Sequence, residues 1–193
     1  MNFTQDWFTY NIPHLTELMG LLPERKRFLE IGCFEGRATC WFLEHALDDD
    51  GTMVCIDPFE GSMEHASMDL SDLYKRFQQN VYSVLKPEQH LATFTQPSAK
   101  VLRTLDLQFD FIYIDGDHTA PAVLTDACMA WPLLKKGGIM LFDDYLWGDV
   151  PALMPIAKSA PKKNAVKTFN LSIKGLRFVL TLYLPYLFRW IFQ

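Results

Sequence analysis

Short apolar runs alternate with segments of helical spacing along most of this chain. Runs typical of buried strands cover residues 28–31, 52–57, 109–115 and 139–142, and a weaker run covers 91–95. Between them, apolar residues recur every three or four positions, which predicts amphipathic helices. The alternation predicts an α/β domain whose parallel sheet is covered by helices on both faces.

The end of the chain follows a different pattern. Residues 176–192 are strongly apolar and aromatic, but Arg177, Pro185 and Arg189 interrupt the run, which is shorter than a usual membrane-spanning helix. Its Val, Ile, Phe, Tyr and Trp content favours a closing pair of buried strands. An interfacial membrane anchor is the alternative. Upstream, the cations and glycines of Lys135–Gly138 predict the end of the preceding helix.

Length and composition fit one domain. Of the 193 residues, 1–27 are expected to lead into the sheet, 28–147 to form the core and 148–193 to close it. The four cysteines are widely spaced, with no C-x-x-C pair, and the start of the chain lacks the features of a signal peptide. A reducing, cytoplasmic location is therefore expected. The net charge of −5 offers no basic footprint for nucleic acid.

The first strand leads into a glycine loop, Glu30-Ile-Gly-Cys-Phe-Glu-Gly36. Glycine lets the backbone approach a ligand closely, and the helix that follows starts with unpaired N–H groups. A nucleotide-type cofactor site is therefore predicted. The spacing is E-x-G-x-x-x-G instead of G-x-G-x-x-G, which counts against a dinucleotide. Cys33 lies in this loop with no base evident beside it, so its thiol is interpreted as loop packing.

Asp57 ends the second strand and is the candidate ribose ligand. It follows Gly32 at close to the offset, roughly 20 residues, at which an acidic residue binds ribose hydroxyls in nucleotide-binding sheets. A carboxylate can accept two hydrogen bonds from the vicinal diol. The alternative is that Asp57 merely caps the turn before Pro58.

Carboxylates also follow the fourth and fifth strands. Because ligands bind beyond the carboxyl ends of parallel strands, Asp115, Asp143 and Asp144 are expected at the same edge of the sheet. Their charges would repel unless a cation joined them, and hard oxygen ligands suit Mg²⁺. The alternative is that these residues cap turns. His118 is a candidate general base, although a histidine at a helix start is more often structural.

Four stretches carry a family resemblance: Glu30–Gly36, Asp57, Ile114–His118 and Gly137–Asp144. In this order they resemble the class I S-adenosylmethionine-dependent methyltransferases. The most similar group is the O-methyltransferase-like one, which includes catechol and caffeoyl-CoA methyltransferases and the methyltransferase domain 24 type. The resemblance implies a Rossmann-like fold with a doubly wound, mostly parallel, seven-stranded sheet and a C-terminal antiparallel strand pair. It also implies metal-assisted O-methylation of a small-molecule hydroxyl.

The resemblance assigns roles to individual residues. Those implied to bind the cofactor are Glu30, Gly32, Cys33, Phe34 and Gly36 around the methionine end, Asp57 at the ribose, Ser98 near the adenine, and Asp117. Those implied to bind Mg²⁺ are Asp115, Asp143 and Asp144, and those implied to be catalytic are Asp115 and His118. Tyr145 and Trp147 would line the acceptor pocket. Catechol-type relatives carry a catalytic lysine where this chain has His118.

Two other functions stay open on the sequence. A nicotinamide-dependent oxidoreductase would share the fold and the acidic ribose ligand. A non-enzymatic cofactor-binding or membrane-peripheral protein is suggested by the apolar run Leu176–Phe192. The expected partner is a small-molecule acceptor and not a nucleic acid. Membrane contact or a homodimer interface would involve the same apolar run.

Overall fold

A computed structural model describes residues 1–62 and 65–144, together with the backbone of 168–173 and 176–181. The strands in these ranges are β1 Arg27–Ile31, β2 Thr52–Ile56, β3 His90–Phe94, β4 Phe109–Ile114, β5 Leu134–Phe142, β6 Thr168–Ile173 and β7 Leu176–Thr181. The α-helices are α1 Ile12–Met19, α2 Arg37–Trp41, α3 Leu73–Tyr82, α4 Ser98–Val101 and α5 Ala120–Ala130. A π-helical turn, Phe42–Ala46, continues α2.

Five strands form one parallel sheet in the order β3-β2-β1-β4-β5. The chain moves outward from β1 to β3, then returns to pair β4 with the other side of β1. The strand order therefore reverses between β1 and β4, which is where open α/β sheets bind their ligands. The parallel sheet predicted from the alternating pattern is confirmed.

The two faces of the sheet bury separate apolar clusters. Phe28, Met53 and Phe111 point to the face covered by α1, α2 and α3. Leu29 and Ile112 point to the opposite face, against α4 and the end of α5. Successive residues of a strand alternate between faces, so a strand covered on both sides is apolar throughout. Helices on both faces were predicted and are confirmed.

The predicted seven-stranded sheet is corrected to five strands. Within the described ranges, β6 and β7 form a separate antiparallel ladder, in register from Thr168 with Thr181 to Ile173 with Leu176. Their ladder hydrogen bonds join them to each other, and β7 also lies close beside β5 at the edge of the parallel sheet. The strand pair thus begins before the apolar run, whose residues 182–192 lie outside the described ranges. No helix in the described ranges is long and apolar enough to cross a bilayer.

The predicted helix stop at Lys135–Gly138 is also corrected, because these residues belong to β5. Helix α5 already ends at Ala130. The Lys135 ammonium lies 2.7 Å from the carboxylate of Asp110, a buried residue of β4. Gly137 adopts a left-handed φ of 88°, close to an irregularity in the β4–β5 register. Pairing with β4 therefore outweighs the local signals for a helix end.

Candidate active site

A cavity of about 1620 Å³ opens where the carboxyl ends of β1, β2 and β4 meet. Eleven of the twelve predicted site residues line it, namely Glu30, Gly32, Cys33, Phe34, Asp57, Ser98, Asp115, Asp117, His118, Asp143 and Asp144. Gly36 does not. The cofactor and metal residues expected from the sequence therefore share one cavity at the reversal of strand order. Tyr145 and Trp147 lie outside the described residues.

The two glycines of the loop serve different purposes. Gly32 has a φ of 85°, and a Cβ atom there would lie 1.9 Å from the carbonyl oxygen of Asp115. The loop after β1 is thus pressed against the end of β4. Gly36 has a φ of 80°, but a Cβ there would fall 2.7 Å from Val81 and 2.9 Å from Phe77. Packing of α3 therefore explains the need for glycine at Gly36.

Asp57 holds the glycine loop in shape. One carboxylate oxygen, Oδ2, accepts hydrogen bonds from the backbone N–H groups of Cys33 at 2.7 Å and Phe34 at 2.8 Å. The other, Oδ1, accepts from the N–H of Phe59 at 2.6 Å, so Asp57 does cap the turn at Pro58. Oδ1 retains acceptor capacity for a ribose hydroxyl, and that role stays a prediction. Asp57 also fixes Phe34 in a left-handed backbone conformation with φ 46°.

Glu30 is fully buried, and one of its two carboxylate oxygens has a hydrogen-bond partner within the described structure. Its Oε2 accepts a hydrogen bond from the Thr39 hydroxyl at 2.6 Å, whereas its Oε1 has no hydrogen-bond partner within the described structure. Burial raises the pKa of Glu30 to about 8. Buried polar atoms are nearly always hydrogen-bonded in folded proteins. An unpartnered acceptor on the cavity wall therefore fits a ligand that brings a donor.

The buried Glu30 should make stability depend on pH. Its pKa rises from 4.5 to about 8 on folding, so the unfolded chain releases this proton at a lower pH than the native state. Stability from this group is complete below pH 4.5 and falls by about 1.4 kcal/mol per pH unit up to the folded pKa. Glu30→Gln removes this loss. We expect urea unfolding between pH 5 and 8 to show a flatter pH profile for Glu30→Gln than for the wild type.

An exposed glutamate provides the control. Glu88→Gln removes a carboxylate that is already in solvent, so its pH profile should match that of the wild type. Equal slopes for the wild type and Glu30→Gln would contradict the assigned environment of Glu30.

Two buried thiols lie beside Glu30. One carboxylate oxygen of Glu30 and the sulfurs of Cys33 and Cys55 all lie within 4.8 Å of one another. Burial raises the pKa of both thiols, and metal binding requires thiolates. The group therefore does not fit a metal ion. Its environment supports the interpretation of Cys33 as loop packing.

A second group has the donor chemistry of a divalent-cation site. One ligand atom from each of Asp115, His118 and Asp144 lies within 4.8 Å of the other two. The His118 Nε2 atom is 3.7 Å from Asp144 Oδ2. The backbone N–H of Asp115 donates to the Ile31 carbonyl oxygen at 2.8 Å, which fixes the end of β4 beside β1. Two carboxylates and an imidazole suit a divalent metal ion.

Asp143, the other predicted ligand, lies outside this group. The Asn11 side-chain amide donates to both of its carboxylate oxygens, at 3.1 and 3.0 Å. The Tyr113 hydroxyl donates to Asp143 Oδ2, and the Asp144 backbone N–H donates to Oδ1 at 3.0 Å. Burial and then the charges of Asp115 and Asp143 raise the pKa of Tyr113, so its hydroxyl remains a donor. Protein donors therefore already occupy the Asp143 carboxylate.

The predicted adenine end contains a residue that sequence reasoning missed. Ser98 donates a 2.5 Å hydrogen bond to Asp126, a buried residue of α5 that also lines the cavity. Burial raises the pKa of Asp126. An acidic residue on the apolar face of a helix was the available signal. Asp117 is exposed and accepts a hydrogen bond from the Thr119 N–H at 2.8 Å, which forms a local turn just before α5.

Aromatic residues line another part of the cavity. The rings of Phe34 and His65 stack with centroids 4.9 Å apart. The Trp7 ring packs on both, at 5.2 Å from Phe34 and 5.5 Å from His65. Trp7 belongs to the lead-in, where the sequence indicated apolar contacts but gave no direction for this side chain.

This fold and site define a class I S-adenosylmethionine-dependent methyltransferase. The model of a family described as a methyltransferase domain, methyltransferase domain 24, matches residues 29–145, which are more than half of the chain. The chain belongs to this family. The match confirms the predicted methyltransferase family in preference to the nicotinamide-dependent oxidoreductases.

Individual relatives are more distant. Uncharacterized protein R132 of Acanthamoeba polyphaga mimivirus is 27% identical over 133 residues, covering 66% of this chain and 56% of that protein. O-methyltransferase hkm8 of Aspergillus hancockii is 28% identical over 119 residues, covering 62% and 42% respectively. The chain thus spans about half the length of these relatives. A Clostridium thermocellum structure, of a proposed rRNA methylase, shares the fold with a TM-score of 0.52, 11% identity and coverage of 67% of this chain and 66% of that one.

Proposed function

We propose that this enzyme methylates a hydroxyl oxygen of a small molecule with the help of a divalent cation. The observation that carries the proposal is the Asp115, His118 and Asp144 group, which lines the same cavity as the glycine loop. The relative hkm8 is named as an O-methyltransferase, which supports oxygen as the acceptor atom. The acidic character of the group suits a cation and a hydroxyl better than an anionic acceptor.

The cavity residues fit S-adenosylmethionine. The methionine moiety carries an ammonium group, which would favour the ionised form of Glu30 and would supply a donor to its unpartnered Oε1 atom. We assign the methionine end to Glu30 and Gly32, the ribose to Asp57, and the adenine end to Ser98 and Asp126. In each assignment, a residue of the cavity wall would offer a hydrogen-bonding group that complements the part of the ligand assigned to it.

The cation would be held by the carboxylates of Asp115 and Asp144. When bound, S-adenosylmethionine supplies an activated methyl group, and a divalent cation lowers the pKa of an acceptor hydroxyl. Mg²⁺ suits the carboxylates alone, and Mn²⁺ also accepts a neighbouring imidazole. Asp143 would help to position Asp115 and Asp144 without binding the cation, because hydrogen bonds from Asn11 and Tyr113 hold its carboxylate.

His118 would accept the hydroxyl proton. Its imidazole is near the two carboxylates, so a positive charge formed on the ring is stabilised by their negative charges. S-adenosylmethionine would supply the methyl group to the acceptor oxygen, and His118 would hold the proton released from that oxygen. The rigid ends of β1 and β4 align the reacting groups, which lowers the entropic part of the barrier.

Binding and turnover experiments test the proposal. Calorimetry with S-adenosylhomocysteine, with and without Mn²⁺, measures the cofactor and metal sites directly. Labelled S-adenosylmethionine and a panel of hydroxylated probes, starting with the uncharged 1,2-dihydroxybenzene, measure methyl transfer. We expect binding of both ligands and loss of turnover with EDTA. Binding of S-adenosylhomocysteine with no Mn²⁺ binding and chelator-resistant turnover would overturn the metal part of the proposal.

The role of His118 has its own test. If His118 is the base, His118→Asn should lower kcat by about 100-fold while Mn²⁺ affinity stays unchanged. The measurements are steady-state kinetics on the accepted probe and Mn²⁺ titration. His90→Asn, which changes an exposed histidine at the start of β3, should match the wild type in both. A large loss of Mn²⁺ affinity in His118→Asn would instead make His118 a metal ligand.

A further inference from the structure

Residues 2–11, called here the N-terminal strap, are tied to the glycine loop through Glu35. The Glu35 side chain is 2% exposed. Its two carboxylate oxygens accept 2.7 Å hydrogen bonds from the backbone N–H and the hydroxyl of Thr4. Arg76 of α3 lies 3.0 Å from the same carboxylate. A buried charge of this kind is costly without its partners, so Glu35 favours a docked strap.

Two further side chains, those of Asn80 and Arg37, hold the same end of the strap. The Asn80 side chain accepts from the Asn2 N–H at 2.6 Å and donates to the Asn2 carbonyl oxygen at 2.9 Å. It also donates to the Glu35 carbonyl oxygen at 2.9 Å. Arg37, the first residue of α2, donates to the Gln5 carbonyl oxygen at 3.0 Å. The strap is therefore joined by side chains to both α3 and the start of α2.

The other end of the strap reaches the acidic edge of the cavity. Asn11 donates to the carboxylate of Asp143. Tyr10 lines the same cavity as Asp115, Asp143 and Asp144. Between the two ends, Trp7 packs on Phe34 of the glycine loop.

We infer that Glu35 is a positioning residue that couples docking of the N-terminal strap to the shape of the cofactor loop. The inference rests on the proposed function. The strap contacts the loop at one end and the carboxylates at the other. Ligands in the two halves of the cavity would therefore both lie next to this segment. Binding at the loop and docking of the strap should therefore favour each other.

Substitutions of Thr4 test the inference without disrupting the fold. Thr4 is exposed, so Thr4→Val removes the hydroxyl hydrogen bond to Glu35 with little change in packing and leaves the backbone one, whereas Thr4→Ser retains both. Hydrogen exchange of residues 5–11 in the ligand-free proteins measures docking, and calorimetry measures the dissociation constant for S-adenosylhomocysteine. In Thr4→Val we expect several-fold faster exchange and a dissociation constant raised about tenfold. Thr4→Ser should restore both, and all three melting temperatures should agree within about 3 °C.

The outcomes separate the inference from the proposed function. Equal exchange and equal affinity for S-adenosylhomocysteine in all three proteins would overturn the inference and leave the proposed function standing. Failure of the wild-type protein to bind S-adenosylhomocysteine would overturn the proposed function and, with it, the inference.

Discussion

Gly32→Ala is expected to lower the free energy of unfolding by about 3 kcal/mol or more, and to abolish binding of S-adenosylhomocysteine. An added Cβ would lie 1.9 Å from the Asp115 carbonyl oxygen and 2.4 Å from its carbonyl carbon. These atoms belong to backbone at the end of β4, which pairs with β1 and cannot move away alone. The φ of 85° adds a conformational penalty of about 1–2 kcal/mol for any residue with a side chain.

Gly116→Ala is the matched control on the same edge. A Cβ there would meet Ile31 at 3.5 Å and Asp126 at 3.7 Å, which are ordinary packing distances. In urea unfolding, the free energy of unfolding of Gly116→Ala should lie within about 1 kcal/mol of the wild-type value and well above that of Gly32→Ala. If Gly32→Ala were as stable as Gly116→Ala, the close approach of the loop to β4 would be contradicted.

The fold could be predicted where the sequence pattern records burial directly. The strands at 28–31 and 52–57 are mostly apolar because helices cover both faces of the sheet. The prediction failed where distant pairing overrides local preference. Lys135–Gly138 has the composition of a helix end, yet pairing with β4 and the ion pair to Asp110 place it in β5.

The location of the site was predictable for a topological reason. Parallel strands place their carboxyl ends at one edge, so a polar residue after each strand predicts a shared cavity without any knowledge of side-chain contacts. The function of each loop residue was less accessible. Gly36 has the same left-handed backbone as Gly32, but its surroundings are the side chains of α3 and not the cavity. Sequence spacing does not distinguish the two.

Contacts between distant residues explain what the sequence could not supply. Asp143 and Asp144 are adjacent and chemically identical, and their roles differ because distant donors, the Asn11 amide and the Tyr113 hydroxyl, bind the carboxylate of Asp143. Glu35 likewise resembles a solvated loop residue until its contacts with Thr4 and Arg76 are known. Such partners depend on the assembled fold and leave no local periodicity.

Metal binding provides the sharpest comparison among the carboxylates. Asp115→Asn is expected to lower kcat/KM by about 1000-fold and to reduce Mn²⁺ affinity by a similar factor, because it removes a charged ligand from the proposed site. Asp143→Asn should cost only about tenfold in Mn²⁺ affinity, since this residue would act by supporting its neighbours. Asp106→Asn, on the exposed surface, should change neither quantity.

The ratio between these variants decides which residues bind the metal. The sequence resemblance implies that Asp143 binds the metal as directly as Asp115 does. In the structure, however, the Asp143 carboxylate already accepts hydrogen bonds from Asn11, Tyr113 and the Asp144 N–H. Mn²⁺ titration with a melting-temperature check on each variant separates lost ligands from lost folding. Equal losses of Mn²⁺ affinity in Asp115→Asn and Asp143→Asn would show that Asp143 also binds the metal. It would then have to exchange its bonds to Asn11 for the metal, and the strap would move whenever the metal binds.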